Sequence, residues 1–433
     1  MFERLRSALE RSSAQFLDAW PTSARTYLPG GSVPRAGEVY VQPDLARMFS
    51  RLVDAEHRER RRGRREALQA ARDVFYRGEI AERLLRFLRT SRLPDSTGKR
   101  NGGLIAKEDL HGYATRVETP VTVPYRGYDV YKCGPWSQGP VFLQQLRLLE
   151  RYDLAAMGHN SPAYIHLLIE AAKLAFADRE RYYGDPGFAD IPLGMLLSRR
   201  YAEARRKLID PDRASMELRP GNAPPSVPRS RTGGLEIHKG DTTHLDAADQ
   251  WGNLLSATPS GGWFRSSPVV EELGFPLGTR LQMFSLDPRH PNSLRPGKRP
   301  RTTLTPSLAL KDGAPFLAFG TPGADQQDQW SLQFFLNCVE FGMNLQAAAD
   351  APTFHTTHFP SSFHPHDARP GTMHVERRIP TETVSALREK GHIVEIDGDW
   401  SHGRVLGIRF DAENGVLAGV ATARLDTGYA MGW

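Results

Sequence analysis

From about residue 217 to residue 240 the chain offers almost nothing that can bury apolar surface, and Pro220, Pro224, Pro225, Pro228, Gly233 and Gly234 all fall in this one stretch. Proline removes a backbone donor and glycine carries a large ordering entropy, so the stretch reads as an exposed linker rather than part of a sheet or bundle. The 433 residues are thereby divided into two parts of different character. Ahead of the linker, Ser161-Pro162 is a helix start, and Ile165, Leu168, Ile169, Ala172 and Phe176 follow it at helical spacing. Phe142, Leu146 and Leu149 make a shorter stripe after Gly139-Pro140, and 126–131 reads as a strand after a turn at Pro124. Behind the linker, strand-like segments dominate (254–258, 307–310, 316–319, 393–396 and 405–410), with one helical stretch at 330–339. Periodicity alone therefore gives mixed α and β structure with the strands concentrated after Thr242.

Composition removes several function classes. Hydrophobic residues make up 39% and charged residues 24%, which excludes disorder over most of the chain. No apolar run approaches the length of a membrane span. Cys133 and Cys338 are the two cysteines, with no CxxC, which argues against a disulfide scaffold or a Cys-rich zinc site. Lys+Arg 56 against Asp+Glu 50 gives a net charge of +6. Much of the excess lies in Arg58, Arg60, Arg61, Arg62, Arg64 and Arg65. No aromatic residue interleaves that run to stack on bases, so a solvated helix face is favoured over nucleic-acid binding. The start of the chain carries no apolar signal core, which points to a cytoplasmic protein if Met1 is the true N-terminus.

The chemistry concentrates just after the linker. Gly240-Asp241-Thr242-Thr243-His244-Leu245-Asp246 is followed by Asp249-Gln250-Trp251-Gly252-Asn253 and then Leu254-Leu255-Ser256-Ala257-Thr258-Pro259-Ser260. Asp249 to Asn253 is turn chemistry between two short strands. A turn centred on Trp251 sets Ala248 opposite Leu254, Leu245 opposite Ala257 and Thr242 opposite Ser260. One face is then polar (Thr242, His244, Asp246, Ser256, Thr258, Ser260) and the other carries Leu245, Ala247, Leu255 and Ala257. A slip of one residue in one strand would mix the faces. The register puts a second hydroxyl beside Thr242. A threonine hydroxyl needs a base to become a nucleophile. An α-amino group, with a pKa of about 7.7–8, would serve if cleavage between Asp241 and Thr242 made Thr242 the first residue of its chain. The hairpin alone favours a plain Thr-rich strand over a nucleophile.

The stretch from Thr242 to Ser260 resembles the start of the small subunit of the gamma-glutamyltransferases, which are N-terminal nucleophile hydrolases. The resemblance continues through Pro296-Gly297-Lys298-Arg299-Pro300, Thr302-Thr303-Leu304-Thr305-Pro306, Gly320-Thr321-Pro322-Gly323-Ala324 and Asp350-Ala351-Pro352-Thr353-Phe354-His355. Upstream, Phe75-Tyr76-Arg77-Gly78, Lys173-Leu174-Ala175-Phe176-Ala177-Asp178-Arg179 and Tyr183-Gly184-Asp185-Pro186 are similar to the large subunit. It implies an α+β fold, a four-layer αββα sandwich incomplete at its N-terminal side. Residues 1–241 would be the C-terminal portion of a large subunit, including the linker 217–240, and 242–433 the small subunit, the two together forming one structural unit. It further implies self-cleavage between Asp241 and Thr242 and an acyl-enzyme on Thr242. Ser260 takes the place of a second threonine, and the oxyanion hole is made by the backbone N–H groups of Gly323 and Ala324, the latter standing where the family has glycine. No metal or cofactor is implied. The partners implied are a small-molecule amide substrate and the two subunits of the processed precursor, with a higher oligomer left open.

The chain departs from the family in the acyl pocket. Arg280 stands in place of an acidic or amide group, Met283 in place of an aspartate and Gly262 in place of an asparagine. An ammonium beside Arg280 would be repelled and a carboxylate held. With Thr302 and Thr303 as hydroxyl donors, the expectation is a carboxylate-bearing acyl group, glutaryl-like or oxamate-like, rather than a true gamma-glutamyl group. The alternative is that Arg280 pairs with a protein carboxylate. The front of the family's large subunit has no counterpart here, so an inactive remnant, or a subunit completed by a separate polypeptide, stands as the competing reading. His355, His358, His364 and His366 suggest a metal site, but Pro360 and Pro365 break any helix and no acidic ligand lies between them. His402 reads as a surface-loop residue and Cys133 as a small packed residue at a turn.

Overall fold

The computed structural model describes residues 1–95, 97–222, 242–424 and 428–432, without the side chain of Trp263. It divides into two compact units, Met1–Val117 with Gly261–Thr279, and Glu118–Ser260 with Arg280–Trp433. The position of Thr242 falls inside the second.

The first unit is helical: α1 (Glu3–Ala19), α2 (Pro21–Tyr27), α3 (Pro43–Glu59), α4 (Arg64–Tyr76) and α5 (Glu79–Thr90). Leu9 and Phe16 on α1 gather Trp20, Tyr27 and Val269, while Ile80 and Leu84 on α5 gather Met48, Val270 and Leu273. The returning segment 261–279 therefore supplies apolar residues to both helical clusters. The arginine run spans the turn between α3 and α4 and is mostly exposed, with Arg62 paired to Glu59 and Arg64 to Glu56.

The second unit is built on a six-stranded antiparallel sheet. Its strands are β1 (Val121–Tyr125), β2 (Tyr128–Lys132), β5 (Ser307–Lys311), β6 (Ala314–Gly320), β10 (Leu406–Asp411) and β11 (Val416–Ala421), in the order β11-β10-β6-β5-β2-β1. Residues from both sides of Thr242 thus share one sheet. The turn joining β1 to β2 lies at Arg126 and Gly127, both at positive φ, and not at Pro124 as the sequence suggested. Pro124 instead sits in the edge strand β1, where a missing donor costs nothing. Helices α6 (Gly139–Leu149), α7 (Pro162–Tyr182) and α8 (Gln327–Val339) complete this part, and Phe142 of α6, Phe335 of α8 and Phe319 of β6 meet in its core. Each such ring, fully buried, contributes about 1.5–3 kcal/mol. The Ser161 hydroxyl caps α7 by accepting from the Tyr164 N–H at 3.2 Å.

The hairpin of β3 (Leu245–Ala248) and β4 (Leu254–Ala257) has the register the sequence predicts, with Leu245 opposite Ala257 and Ala248 opposite Leu254. Its turn is fixed by the Asp249 carboxylate, which accepts from the Trp251 and Asn253 N–H groups and from Asn253 Nδ2 at 3.0, 2.9 and 2.7 Å. Alternation along β6 shows where the hairpin lies. Phe319 points to the helices, whereas a Cβ on Gly320 would overlap the ring of His244, so helices and hairpin cover opposite faces. The hairpin's polar face is the inward one. Leu245 and Leu255 on its other face are 44% and 51% exposed. A third sheet, of β7 (Phe354–Thr356), β8 (Thr372–Glu376) and β9 (Ile393–Asp397), has the order β9-β8-β7, and α9 (Thr381–Glu389) joins its parallel pair β8 and β9. No helix of the described residues is long and apolar enough to cross a membrane.

Candidate functional site

Thr242 and Ser260 form an isolated antiparallel bridge at the open end of the hairpin, and the Thr242 hydroxyl donates to Ser260 Oγ at 2.9 Å. Behind them most of the inward face's polar groups find partners within the fold. His244 Nδ1 meets Thr258 Oγ1 at 2.8 Å, His244 Nε2 meets Asp246 Oδ2 at 3.0 Å, and Ser256 Oγ donates to the Phe319 carbonyl at 3.2 Å. Those bonds offset most of the cost of laying a polar face against a sheet, although Asp246 Oδ1 is buried without a partner. Asp241 lies outside the described residues.

Three contacts orient the hairpin on the sheet. Gly252 lies by Pro315, Ser256 by Phe319 and His244 by Gly320. Moving from the turn toward Thr242 therefore runs toward the carboxyl end of β6, where the loop 321–324 begins. In that loop Gly323 adopts φ 145 and ψ 29, and Ala324 has φ 52. The left-handed region costs an L-residue about 1–2 kcal/mol, so Ala324 is strained where glycine would not be. Among the described residues neither the Gly323 nor the Ala324 N–H donates a hydrogen bond.

The strained loop is held from below. The Arg179 guanidinium, fully buried on α7, ion-pairs with Asp325 and donates to Gln138 Oε1 at 3.1 Å and to the Pro360 carbonyl at 2.8 Å. Asp325 also accepts from the Ser362 N–H at 2.9 Å and its hydroxyl at 2.6 Å. Beside it, burial would raise the Glu180 carboxyl, but Arg301 and Arg179 overcome this and hold it well below the usual range. The sequence showed α7 only as a stripe. It is buried on every side from Tyr164 to Arg179, which is why its charges are paired.

Arg280 opens a short turn, Arg280–Met283, and its Nη1 lies 3.3 Å from Met283 Sδ. Burial lowers its pKa, and among the described residues no carboxylate stands within ion-pair distance. Thr303 is buried, and Thr302 pairs with Ser137 through its own N–H to the Trp136 carbonyl and its carbonyl to the Gln138 N–H, both at 2.9 Å. Two amides that the sequence did not single out connect these pieces. Asn292 Nδ2 donates to the Met283 carbonyl at 2.7 Å while its Oδ1 accepts from the Arg301 N–H at 2.7 Å, tying the Arg280 turn to the 301–303 segment. Gln138 Nε2 donates to the Ala324 and Asp325 carbonyls at 3.4 and 3.3 Å, tying Thr302 to the 323–325 loop. Single buried amides carry no periodic signal, so nothing in the sequence marks them. Among the described residues, Arg280 makes no hydrogen bond to Thr302 or Thr303. Gly262 belongs to the first unit, at φ 87.

The histidines do not converge on a metal. His358 accepts from the Gly371 N–H at 2.9 Å and meets the Glu217 carbonyl at 3.1 Å, and His366 meets the Ser361 and Phe284 carbonyls. His402 is buried and bonded to Asp397, not on a surface loop as its sequence context suggested. A different set, His166, Glu170 and His392, brings ligand atoms within 4.8 Å of one another. Glu170, however, already accepts from Lys173 at 2.6 Å and Arg219 at 2.9 Å, two cations that oppose a third. This cluster fastens the chain ahead of the linker: His166 Nε2 meets the Asp210 carbonyl at 2.7 Å and Lys173 donates to the Ser215 carbonyl at 2.9 Å. Within 217–240 the described part, 217–222, is likewise anchored, with the Gly221 N–H donating to Asp178 at 2.8 Å. The exposed linker of the sequence reading therefore does not begin at 217. The Cys133 thiol is partly buried, which pushes its pKa up, away from nucleophile chemistry.

The chain matches the Gamma-glutamyltranspeptidase family over residues 1–432. It is 33% identical over 355 residues to the glutathione hydrolase proenzyme of Pseudomonas sp. (strain A14), covering 78% of this chain and 55% of that protein. The chain thus spans little more than half of that relative's length. Among solved structures it is similar to LmbA2991HD, with 45% identity, a TM-score of 0.92, and coverage of 100% of this chain and 75% of that one. It is also similar to the cephalosporin acylase of Bacillus halodurans, with 29% identity, a TM-score of 0.77, and coverage of 98% and 70%. The α+β architecture is that of the N-terminal nucleophile hydrolases. The chain belongs to the Gamma-glutamyltranspeptidase family.

Proposed function

We propose that the chain is an autoprocessed amidohydrolase or acyltransferase whose nucleophile is Thr242, freed by cleavage after Asp241. The observation that carries this reading is the 2.9 Å bond from the Thr242 hydroxyl to Ser260 Oγ, at the hairpin end directed toward the 321–324 loop. In the intact chain the nitrogen of Thr242 is an amide and has no useful basicity. Cleavage turns it into an amine that can take the Oγ proton near neutral pH. Oγ then bonds to the substrate carbonyl carbon, and the carbonyl electron pair moves onto oxygen. The Gly323 and Ala324 N–H groups receive that oxyanion, a role typically worth about 3–4 kcal/mol per donor. Collapse expels the amine leaving group, which takes the proton back from the Thr242 ammonium. Water or an acceptor amine resolves the ester.

For the acyl group, the reading is a carboxylate held by Arg280 with help from Thr302 and Thr303. Arg280 is desolvated with no carboxylate beside it among the described residues, and Asn292 ties its turn to the 301–303 segment. The relatives' names span glutathione hydrolase and cephalosporin acylase, so the scaffold accommodates more than one acyl group. A denaturing gel of the purified chain tests the first part: fragments 1–241 and 242–433 are expected, and Thr242→Ala abolishes them. Parallel assays of glutaryl and gamma-glutamyl anilides test the second, and faster turnover of the gamma-glutamyl compound sinks it. A second reading makes the chain a subunit completed by another polypeptide. The exposed Leu245 and Leu255 on the hairpin's outer face favour it, and a single uncut band from fresh soluble protein would decide for it.

A further inference from the structure

Trp330, in the first turn of α8, occupies a slot between two glycines. A Cβ on Gly323 would overlap one edge of the indole, and a Cβ on Gly403 would overlap another part of the same ring. Gly403 has no positive φ, so its lack of a side chain answers to the indole and not to its own backbone. The ring is also held by neighbouring imidazoles. His402 stacks on it at 5.7 Å and 21°, and His355 meets it edge-on at 5.1 Å and 82°. These imidazoles are themselves fixed: His402 Nε2 meets Asp397 Oδ2 at 2.8 Å and its Nδ1 meets the Thr353 carbonyl at 3.2 Å, while His355 lies flat on His374 at 4.7 Å. An unbroken line of contacts therefore runs from Gly323 through Trp330 to strand β9.

We propose that Trp330 is a positioning residue that sets the direction of the Gly323 N–H. The inference rests on the oxyanion role given to Gly323 under Proposed function. A glycine at φ 145 has no side chain to limit its rotation, so the peptide plane needs an external stop. The indole is that stop, and the histidines keep it from yielding. A side chain acting through Gly323 affects the transition state, where charge develops on the substrate oxygen, more than ground-state binding.

The test uses the full chain carrying Trp330→Leu, Trp330→Phe or Gly403→Ala, with anilide turnover normalised to the processed fraction on a denaturing gel. Trp330→Leu is expected to lower kcat per processed molecule at least tenfold with KM changed less than twofold, and Trp330→Phe to keep most of the activity. Gly403→Ala, which displaces the indole without touching the loop, is expected to reproduce the kcat loss, and serves as the readout if Trp330→Leu fails to fold. A purely structural role would lower Tm and the processed fraction but leave kcat per processed molecule unchanged, and that result overturns the proposal. A wild-type chain that turns over neither anilide overturns the functional reading itself, whereas an active wild type with unaffected variants sinks only the role of Trp330.

Discussion

Lys132 closes β2 and Asp328 lies in the first turn of α8, and their side chains meet at 3.0 Å with no solvent exposure on either. The ammonium also donates to the Thr305 carbonyl at 2.8 Å and to Ser307 Oγ at 2.7 Å, and the carboxylate accepts from Thr305 Oγ1 at 2.9 Å. The pair thus fastens the end of the 302–305 segment to two core elements. Replacing Lys132 with methionine keeps most of the volume and strands the carboxylate. At 3.0 Å, Coulomb's law with an effective dielectric constant of about 20 gives roughly 5 kcal/mol of attraction. Breaking one side of a buried pair costs about 3–5 kcal/mol in comparable cases. With unfolding entropy of about 2.1 cal/mol/K per residue, a chain of 433 residues shifts by about 1 °C of Tm per kcal/mol, so Lys132→Met should lower Tm by about 3–5 °C at pH 7. Burial already pushes the Asp328 carboxyl up, with Lys132 opposing. In the variant that opposition is gone, so the folded state prefers the protonated acid. The folded pKa then exceeds the unfolded one, and the variant's relative stability is full at low pH and lost as pH rises through the folded value. Thermal unfolding of wild type, Lys132→Met, Asp328→Asn and the double variant completes the cycle. The double variant should recover most of the loss. A Lys132→Met deficit under about 1 kcal/mol, or strict additivity in the cycle, refutes the reasoning.

Removing Arg280 as Arg280→Met should raise KM for a glutaryl anilide by about 10–150-fold, the equivalent of the 1.5–3 kcal/mol typical of a hydrogen bond to a charged group. The gamma-glutamyl anilide should lose much less, and steady-state kinetics on both compounds checks it. Ala324→Gly should relieve the left-handed strain at φ 52, worth about 1–2 kcal/mol, less about 0.5–1 kcal/mol for the added freedom of the unfolded chain. Tm should rise by up to about 2 °C, and a fall would show that the strain is absent. Acid should destabilise the protein through His358 and His392. Burial, then nearby Lys173, pushes their pKa values down to about 3 and about 2. Both lie below the ordinary value, so the folded state refuses protons that the unfolded state accepts. Stability is full above about pH 6.5 and falls below it at up to about 1.4 kcal/mol per group per pH unit. A Tm that stays flat between pH 7 and pH 5 refutes this.

The hairpin was legible because a five-residue turn and strict alternation leave one register, and Leu245 opposite Ala257 is where that register puts them. Its orientation was not. Alternation separates two faces without saying which one is buried, and here the face carrying His244 and Asp246 goes inward, where both His244 nitrogens and one Asp246 oxygen find partners. The strands at 307–311 and 314–320 and the helix at 327–339 were readable from local pattern. The helices of the first unit carry a fainter form of the same signal, Leu9 with Phe16 and Ile80 with Leu84 at helical spacing. The supports of the site were illegible for a different reason. Gln138 and Asp325 act through hydrogen bonds to residues far away in sequence, and Asn292 through two bonds nine residues away on either side, and no local pattern announces such contacts.

The parts of the proposed site differ in how they are held, and this bears on which of them a substitution can change. The Thr242 hydroxyl, the Ser260 hydroxyl and the N–H groups of Gly323 and Ala324 are placed by a strand register and by a loop anchored through Asp325 and Arg179. Their geometry belongs to the backbone, so serine can stand for threonine at 260. Alanine can stand for glycine at 324 at the cost of about 1–2 kcal/mol of strain, which a buried ion pair beneath the loop can hold in place. The acyl pocket is of the other kind. Arg280 lies on a four-residue turn held by Asn292 and by the His364 N–H to the Gln282 carbonyl, so on the proposed reading exchanging one side chain would reverse the sign of what is bound without moving the nucleophile. On the proposed reading, reaction type and acyl preference are therefore separable. A variant at position 280 should change which anilide is cleaved while leaving self-cleavage before Thr242 intact, and joint loss of both would show that the two are mechanically coupled after all.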